Sequence, residues 1–333
     1  MRISAIVPCF NGEQFLSQAI ASVHAQTRPV AEVIVVDDNS TDGSAALAER
    51  LGALVIRLPK NVGPAEARNT GIRAAQGDLV AFLDADDAWM PHHCERTVGL
   101  LERFPSAVVA FGESVPMEGP QTDGRLAATR RYSAVEPFDA LTVLLEENVV
   151  PQAAAVVRRD AILELGGYSP EFRYCEDYHL WLRLASVGAF VGAGEATLWR
   201  RTHAEQASNA VVAMRNGAWR ARAAALAALP STTAGSTPVR RALRDAWNLE
   251  LHQAWGTGST QHLNAALACH AFVPEASAAY RRWLLLRYCV WPVRQLVRRT
   301  LYSLPTSLRS RILAFRSLST GRGSTVSADN VPD

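Results

Sequence analysis

Lysine is almost absent from this chain: of 34 Lys and Arg residues in 333, Lys60 is the only lysine. That excludes the Gly-Lys-Ser/Thr of a P-loop and weighs against lysine chemistry such as a Schiff base. Cysteine is scarce as well. Cys9, Cys94, Cys175, Cys269 and Cys289 are scattered, odd in number and form no C-x-x-C pair, so neither a disulfide framework nor a zinc site is indicated, and a reducing cytoplasm fits. No run approaches the roughly 18 apolar residues of a membrane span. Met1-Arg2 leads directly into a short strand-like run, so the expectation is a cytoplasmic protein without a classical secretion signal. The Gly-x-Gly-x-x-Gly of a dinucleotide site is missing after the first apolar run. A net charge of +2 is too small to imply nucleic acid. At 48% hydrophobic content the chain can bury one large core, or a main domain with an appendage.

What is present centres on residues 77–89, G-D-L-V-A-F-L-D-A-D-D-A-W. Residues 79–83 are an uninterrupted apolar run, the pattern of a parallel strand buried on both faces. It stops on acid. Asp84, Asp86 and Asp87 stand within four positions at the strand's carboxyl end, the edge of an open α/β sheet where ligands bind. Carboxylates this close raise one another's pKa unless a cation holds them ionised. Mg²⁺ takes one or two protein carboxylates and completes its shell with water and phosphate oxygens, so the cluster suggests a nucleotide diphosphate site. Asp87 could instead cap a helix entered through Trp89, Met90 and Pro91.

Apolar runs alternate with helix-spaced segments along residues 1–112. A strand at 3–8 precedes a helix at 13–25, and a strand at 33–36 ends on Asp37-Asp38 before a helix at 44–51, which Ser40 or Asp42 could cap. A strand at 54–58 precedes a helix at 64–75 carrying Arg68, and a helix at 92–103 precedes a fifth apolar run at 107–111. Strands and helices in this order specify a doubly wound, mostly parallel α/β sheet flanked by helices. Two of the strands end on aspartates, which can meet where the strand order reverses.

These residues resemble the family 2 glycosyltransferases of the GT-A fold. The resemblance is carried by Val7-Pro8-Cys9-Phe10-Asn11-Gly12, Val35-Val36-Asp37-Asp38-Asn39-Ser40-Thr41-Asp42-Gly43, Asn61-Val62-Gly63 with Ala67-Arg68-Asn69-Thr70-Gly71, and Asp84-Ala85-Asp86-Asp87. It is dense over 1–112 and continues at motif level to about 210. It implies a nucleoside-diphosphate sugar donor of the UDP-sugar kind, Mg²⁺ or Mn²⁺ on the Asp-x-Asp motif and inversion at the anomeric carbon. Pro8, Asp38, Arg68, Asp84 and Asp86 inherit the nucleotide-sugar site. Asp38 would accept the imide N–H of the base, Arg68 would lie near the base or phosphates, Asp84 would face the ribose and Asp86 the metal. Arg68 could instead be a surface residue paired with Glu66 or Asp42.

Beyond 112 the pattern loosens. Residues 113–135, with Pro116, Gly119, Pro120 and Gly124, read as an aperiodic loop near the acceptor. A helix at 138–146, a run at 153–157 and the pair Gly166-Gly167 lead to Glu176-Asp177 at the amino end of an aromatic-rich helix. A carboxylate there suits a cap or a base, and the resemblance makes Asp177 the catalytic base. Residues 198–203 resemble a strand ending in Arg-x-x-His, which would set His203 near the metal or diphosphate and Arg200 and Arg201 on the diphosphate, although a lone histidine can also be structural.

The expected organisation is a catalytic domain over 1–205, with a nucleotide half at 1–112 and an acceptor half at 113–205. A helical, Arg-rich region follows over 206–318, with helices at 210–229, 239–255 and 275–300 and a linker at 230–238, and then a disordered tail at 319–333. Residues 276–328 hold ten arginines and no acid, interleaved with tryptophans and leucines. That pattern fits a helix lying on anionic lipid through 276–318, or one packed on the catalytic domain. The enzyme would then transfer sugar to a saccharide or lipid-linked acceptor at the inner membrane face, in cell-surface polysaccharide or glycolipid synthesis. The alternative is an inactive nucleotide- or lipid-binding scaffold on the same fold.

Overall fold

The computed structural model describes residues 1–117, 135–203 and 210–257. Eight strands form one sheet, β1 (Ile3–Cys9), β2 (Glu32–Asp37), β3 (Leu54–Arg57), β4 (Leu79–Phe82), β5 (Ala88–Trp89), β6 (Ala107–Pro116), β7 (Ala155–Arg158) and β8 (Ala189–Arg200). Their order is β3-β2-β1-β4-β7-β6-β8-β5. The four sequence-leading strands β3, β2, β1 and β4 run parallel, β7 is antiparallel to both β4 and β6, and β6 and β8 are parallel. The expected mostly parallel doubly wound sheet is therefore present. Its order reverses at β1, where β2 lies on one side and β4 on the other.

The helices are α1 (Glu13–His24), α2 (Ser44–Arg50), α3 (Pro64–Ala74), α4 (His93–Arg103), α5 (Ala140–Glu146), α6 (Arg159–Glu164), α7 (Glu176–Leu184), α8 (Val211–Ala228), α9 (Ser231–Ala234) and α10 (Thr237–Thr257). Alternating residues of the parallel strands feed two cores. Ile6, Ile34, Val36, Val80 and Phe82 pack with residues of α3, α5, α7, α8 and α10. Ile3, Ala5, Val7, Val33, Val35, Leu79 and Ala81 pack with residues of α1, α2 and α4. Burial on both faces is why these strands read as continuous apolar runs.

Three expectations change. The segment at 113–135 does not begin as a loop, because β6 runs on to Pro116 beside β8. Gly112, whose Cβ would fall 2.1 Å from Thr197 Oγ1, and register shifts around Phe111 and Glu113 break the period that marks a strand in sequence. The linker at 230–238 holds the short α9, and α10 already begins at Thr237. Asp87 caps no helix: it is followed by β5, and α4 starts only at His93. Residues 118–134, the helix expected at 275–300, the arginine-rich stretch 276–318 and the tail 319–333 lie outside the described residues. No helix among the described residues is long and apolar enough to cross a membrane.

Candidate active site

The three acids after β4 have separate surroundings. Asp84 Oδ1 accepts from Arg68 Nη2 at 2.7 Å, Asp86 Oδ2 lies 2.8 Å from His203 Nε2, and Asp87 is buried and accepts the backbone N–H of Arg201 at 2.9 Å. Burial first, and then the charges of Asp84 and Asp86, push Asp87 up to about 8. His203 reaches this point because β5 pairs antiparallel with the end of β8, Ala88 opposite Trp199, so the chain leaving β8 passes over the acidic turn. Arg201 is committed to that turn: its Nε donates to the Asp86 carbonyl at 3.0 Å and its guanidinium lies 4.5 Å over the Phe15 ring.

The donor set fits a hard divalent cation. A carboxylate oxygen of Asp86 and an imidazole nitrogen of His203 lie 2.8 Å apart, and the carboxyls of Asp84 and Asp87 stand near enough that the charges of Asp84 and Asp86 add to burial in raising Asp87. Among the described residues no group of three or more His, Cys, Asp or Glu is placed to hold a metal ion; Asp86 and His203 offer two donors, and water and phosphate oxygens would have to complete the shell.

Asp38 directly follows β2 and is 4% exposed. Its two carboxylate oxygens accept the amides of Val62 at 2.7 Å and Gly63 at 2.8 Å, fixing the turn ahead of α3. Gly63 needs its positive φ of 88° there. Each oxygen can accept more than one bond, so holding the turn leaves capacity toward a ligand. Asp38→Asn places an amide against two backbone donors, at a cost of about 1–3 kcal/mol for an unpaired buried group. Its melting temperature and UDP affinity are both expected to fall, by thermal unfolding and calorimetry; wild-type values in both would remove Asp38 from the turn and from the site. Pro8, at the end of β1 opposite Val36, is half-buried.

On the other side, α7 starts at Glu176, after Cys175, whose φ of 60° is left-handed without a glycine and gives the sharp entry that lets the next two carboxylates face inward. Tyr178 OH donates to the Leu144 carbonyl of α5, and Arg183 Nη1 donates to the Gly167 carbonyl at 2.7 Å, which anchors α7. Helix α8 supports the entry turn from behind. A Cβ on Gly217 would meet the Tyr174 carbonyl oxygen at 2.7 Å, and Cys175 Sγ donates to the Met214 carbonyl at 3.1 Å. Asp177 has Asn148 Nδ2 at 3.4 Å, a long contact. Burial first, and then the charge of Glu176, push Asp177 up to about 6. That is a suitable value for a base near neutral pH.

One cleft of about 560 Å³ is lined by Asp84, Asp86, Asp87 and Arg68 on one side and by Glu176 and Asp177 on the other. Arg200, Asn148, Arg173 and Tyr174 also line it; Asn148 and Arg173 fall between the segments that show motif or period, whereas Tyr174 opens the stretch expected to hold the acceptor-side acid. Pro8, Asp38 and His203 stand outside this lining.

Residues 4–166 match the model of Glycosyl transferase family 2. Over that stretch, 163 of the 333 residues, the chain is similar to the family 2 glycosyltransferases. An uncharacterized glycosyltransferase of Haemophilus influenzae is 30% identical over 191 residues, which are 56% of this chain and 63% of that protein, so the match spans less than two thirds of that relative's length. The amylovoran biosynthesis glycosyltransferase AmsE of Erwinia amylovora is 28% identical over 56% of this chain and 70% of its own. S. aureus TarS in complex with UDP-GlcNAc matches in structure with a TM-score of 0.64 at 19% identity, over 83% of this chain and 82% of that one. The mannosyltransferase PcManGT of Pyrobaculum calidifontis, in complex with GDP-Man and Mn²⁺, gives 0.62 at 19% over 96% and 88%. At these identities the solved structures establish the GT-A fold. The family 2 match spans β1 to α6 and therefore contains the acidic turn after β4, while Asp177 lies just beyond it.

Proposed function

We propose that this chain is an inverting, metal-dependent glycosyltransferase that moves a sugar from a nucleoside-diphosphate sugar, of the UDP-sugar kind, to an acceptor hydroxyl in cell-surface polysaccharide synthesis. The observation that carries it is the single cleft with Asp84, Asp86 and Asp87 on one side and Asp177 on the other. The nucleotide sugars in the TarS and PcManGT complexes, and the polysaccharide named for AmsE, support the donor and product classes.

Asp86 with His203 would hold Mg²⁺ or Mn²⁺, which when bound supplies positive charge against the leaving diphosphate. Asp38 holds the turn beside the nucleotide, and Asp84 faces the donor. Asp177 Oδ accepts the proton of the acceptor hydroxyl as that oxygen attacks the anomeric carbon from the face opposite the diphosphate. One bond forms, one breaks, and the configuration inverts. Arg200, on the cleft wall, is placed for the diphosphate.

The test is donor hydrolysis by the purified chain across UDP-, GDP- and dTDP-sugars with Mn²⁺. Release of nucleoside diphosphate from one donor class supports the enzyme and names the donor; tight nucleotide binding without release from any of them is the result expected of an inactive scaffold. The ten arginines of residues 276–328 would tether the protein to anionic lipid at about 1 kcal/mol per basic residue near the surface. Sedimentation of the full chain with anionic vesicles should be strong at low salt and fall as salt rises; absence of sedimentation at low salt removes the tether.

A further inference from the structure

The resemblance assigns Arg68 to the nucleotide, yet its guanidinium is already held at two points. Nη2 donates to Asp84 Oδ1 at 2.7 Å and Nη1 donates to Glu176 Oε1 at 2.9 Å, while the Tyr168 ring lies 5.7 Å away. The Arg68 side chain is 6% exposed, and its buried Nε has no hydrogen-bond partner. Burial opposes its charge, but Asp84 and Glu176 outweigh burial and raise its pKa. A rigid planar fork can span two carboxylates in this way; a lysine ammonium cannot hold both with the same geometry.

The helix beneath it is anchored on both sides of the bridge. Gly63, just ahead of α3, donates to Asp38. Asn69, the residue after Arg68, donates to the Tyr168 carbonyl at 2.9 Å and accepts the Tyr168 N–H at 2.7 Å. Arg68 is therefore a fixed strut between the acidic end of β4 and the first residue of α7, whose second residue is Asp177.

We propose that Arg68 is a positioning residue: by bridging Asp84 and Glu176 it locks the amino end of α7 against the donor side of the cleft and so sets the reach of Asp177 to the reacting carbon. The inference rests on Asp177 being the base.

The experiment compares Arg68→Met, Arg68→Lys, Glu176→Gln, the pair Arg68→Met/Glu176→Gln, and Asp177→Asn. It measures calorimetric UDP affinity with Mn²⁺, melting temperature, and kcat at saturating levels of the donor selected by the hydrolysis panel. A base displaced by about 1 Å can lose on the order of 10²-fold in rate. Arg68→Met should therefore drop kcat by about 10- to 100-fold while UDP affinity stays within about twofold. Since Arg68 acts through Glu176, the double variant should cost no more than the larger single loss. Arg68→Lys, which keeps the charge but loses the second contact, should fall between wild type and Arg68→Met; with Glu176→Gln it decides the matter if Arg68→Met does not fold. Lost UDP affinity with an unchanged kcat would make Arg68 a nucleotide ligand, and multiplying losses in the double variant would make the two residues independent; either overturns the strut. Wild-type kcat in Arg68→Lys and Glu176→Gln, with Asp177→Asn inactive, overturns it while sparing the base. Normal turnover by Asp177→Asn would instead remove the base itself.

Discussion

Asp177→Asn is expected to cut the transfer rate by about 10²- to 10⁴-fold, the range of a general-base contribution, with UDP affinity and melting temperature close to wild type. Stability should survive because asparagine keeps the shape of the side chain and can still accept the backbone bond from Tyr178. The residue before α7 is Cys175, no side chain caps that end, and the contact to Asn148 is long. The wild-type pH profile belongs to the same expectation. A base works deprotonated, and burial together with the charge of Glu176 places Asp177 at about 6. Log kcat should therefore fall with unit slope as pH drops below about 6 and level off above it. Near-normal transfer by Asp177→Asn would move suspicion to Glu176.

Asp86→Ala should weaken UDP binding in Mn²⁺ by about 10- to 100-fold, the scale on which loss of a metal-site partner acts. The physical reason is charge. A diphosphate entering a cleft that already holds Asp84 and Asp86 is repelled by their carboxylates, and a cation between them would offset that repulsion. With EDTA in place of Mn²⁺, wild type and variant should bind UDP equally poorly. Calorimetry in both buffers is the check; UDP binding to Asp86→Ala in Mn²⁺ as tight as to wild type would take Asp86 out of the metal site.

The nucleotide half was legible because β1, β2 and β4 are buried on both faces, and the edge strand β3, half-exposed, is still largely built of apolar residues. Residues 3–8, 33–36, 54–58 and 79–83 read as apolar runs, and they fall within one or two residues of β1 to β4. The Asp-Ala-Asp at the end of β4 was legible for the same reason: three acids after a buried strand have no packing role to explain them. Capping was read less well. Asp42 does accept the Ser44 amide at 3.0 Å at the start of α2, but Asp87 caps nothing and instead binds the chain leaving β8. Contacts across long separations were invisible. Nothing near position 68 marks Glu176, 108 residues on, as its partner, and a surface pairing with Glu66 was equally compatible with the sequence, whereas Glu66 in fact pairs with Arg73. The left-handed Cys175 at the mouth of the acceptor side breaks the local preference for glycine or asparagine, so no residue type announced it. The support of the Tyr174–Cys175 turn by Gly217 was hidden because a glycine inside a helical pattern looks like a weakness until its close neighbour is known.

The most direct measurement is the anomeric configuration of the first product, followed by proton NMR from the start of the reaction with the donor selected by the hydrolysis panel. Direct displacement with Asp177 as the base yields the inverted anomer first, at a rate that collapses in Asp177→Asn. A first product of retained configuration, or an inverted product formed at the wild-type rate by Asp177→Asn, would contradict displacement assisted by Asp177 in this cleft.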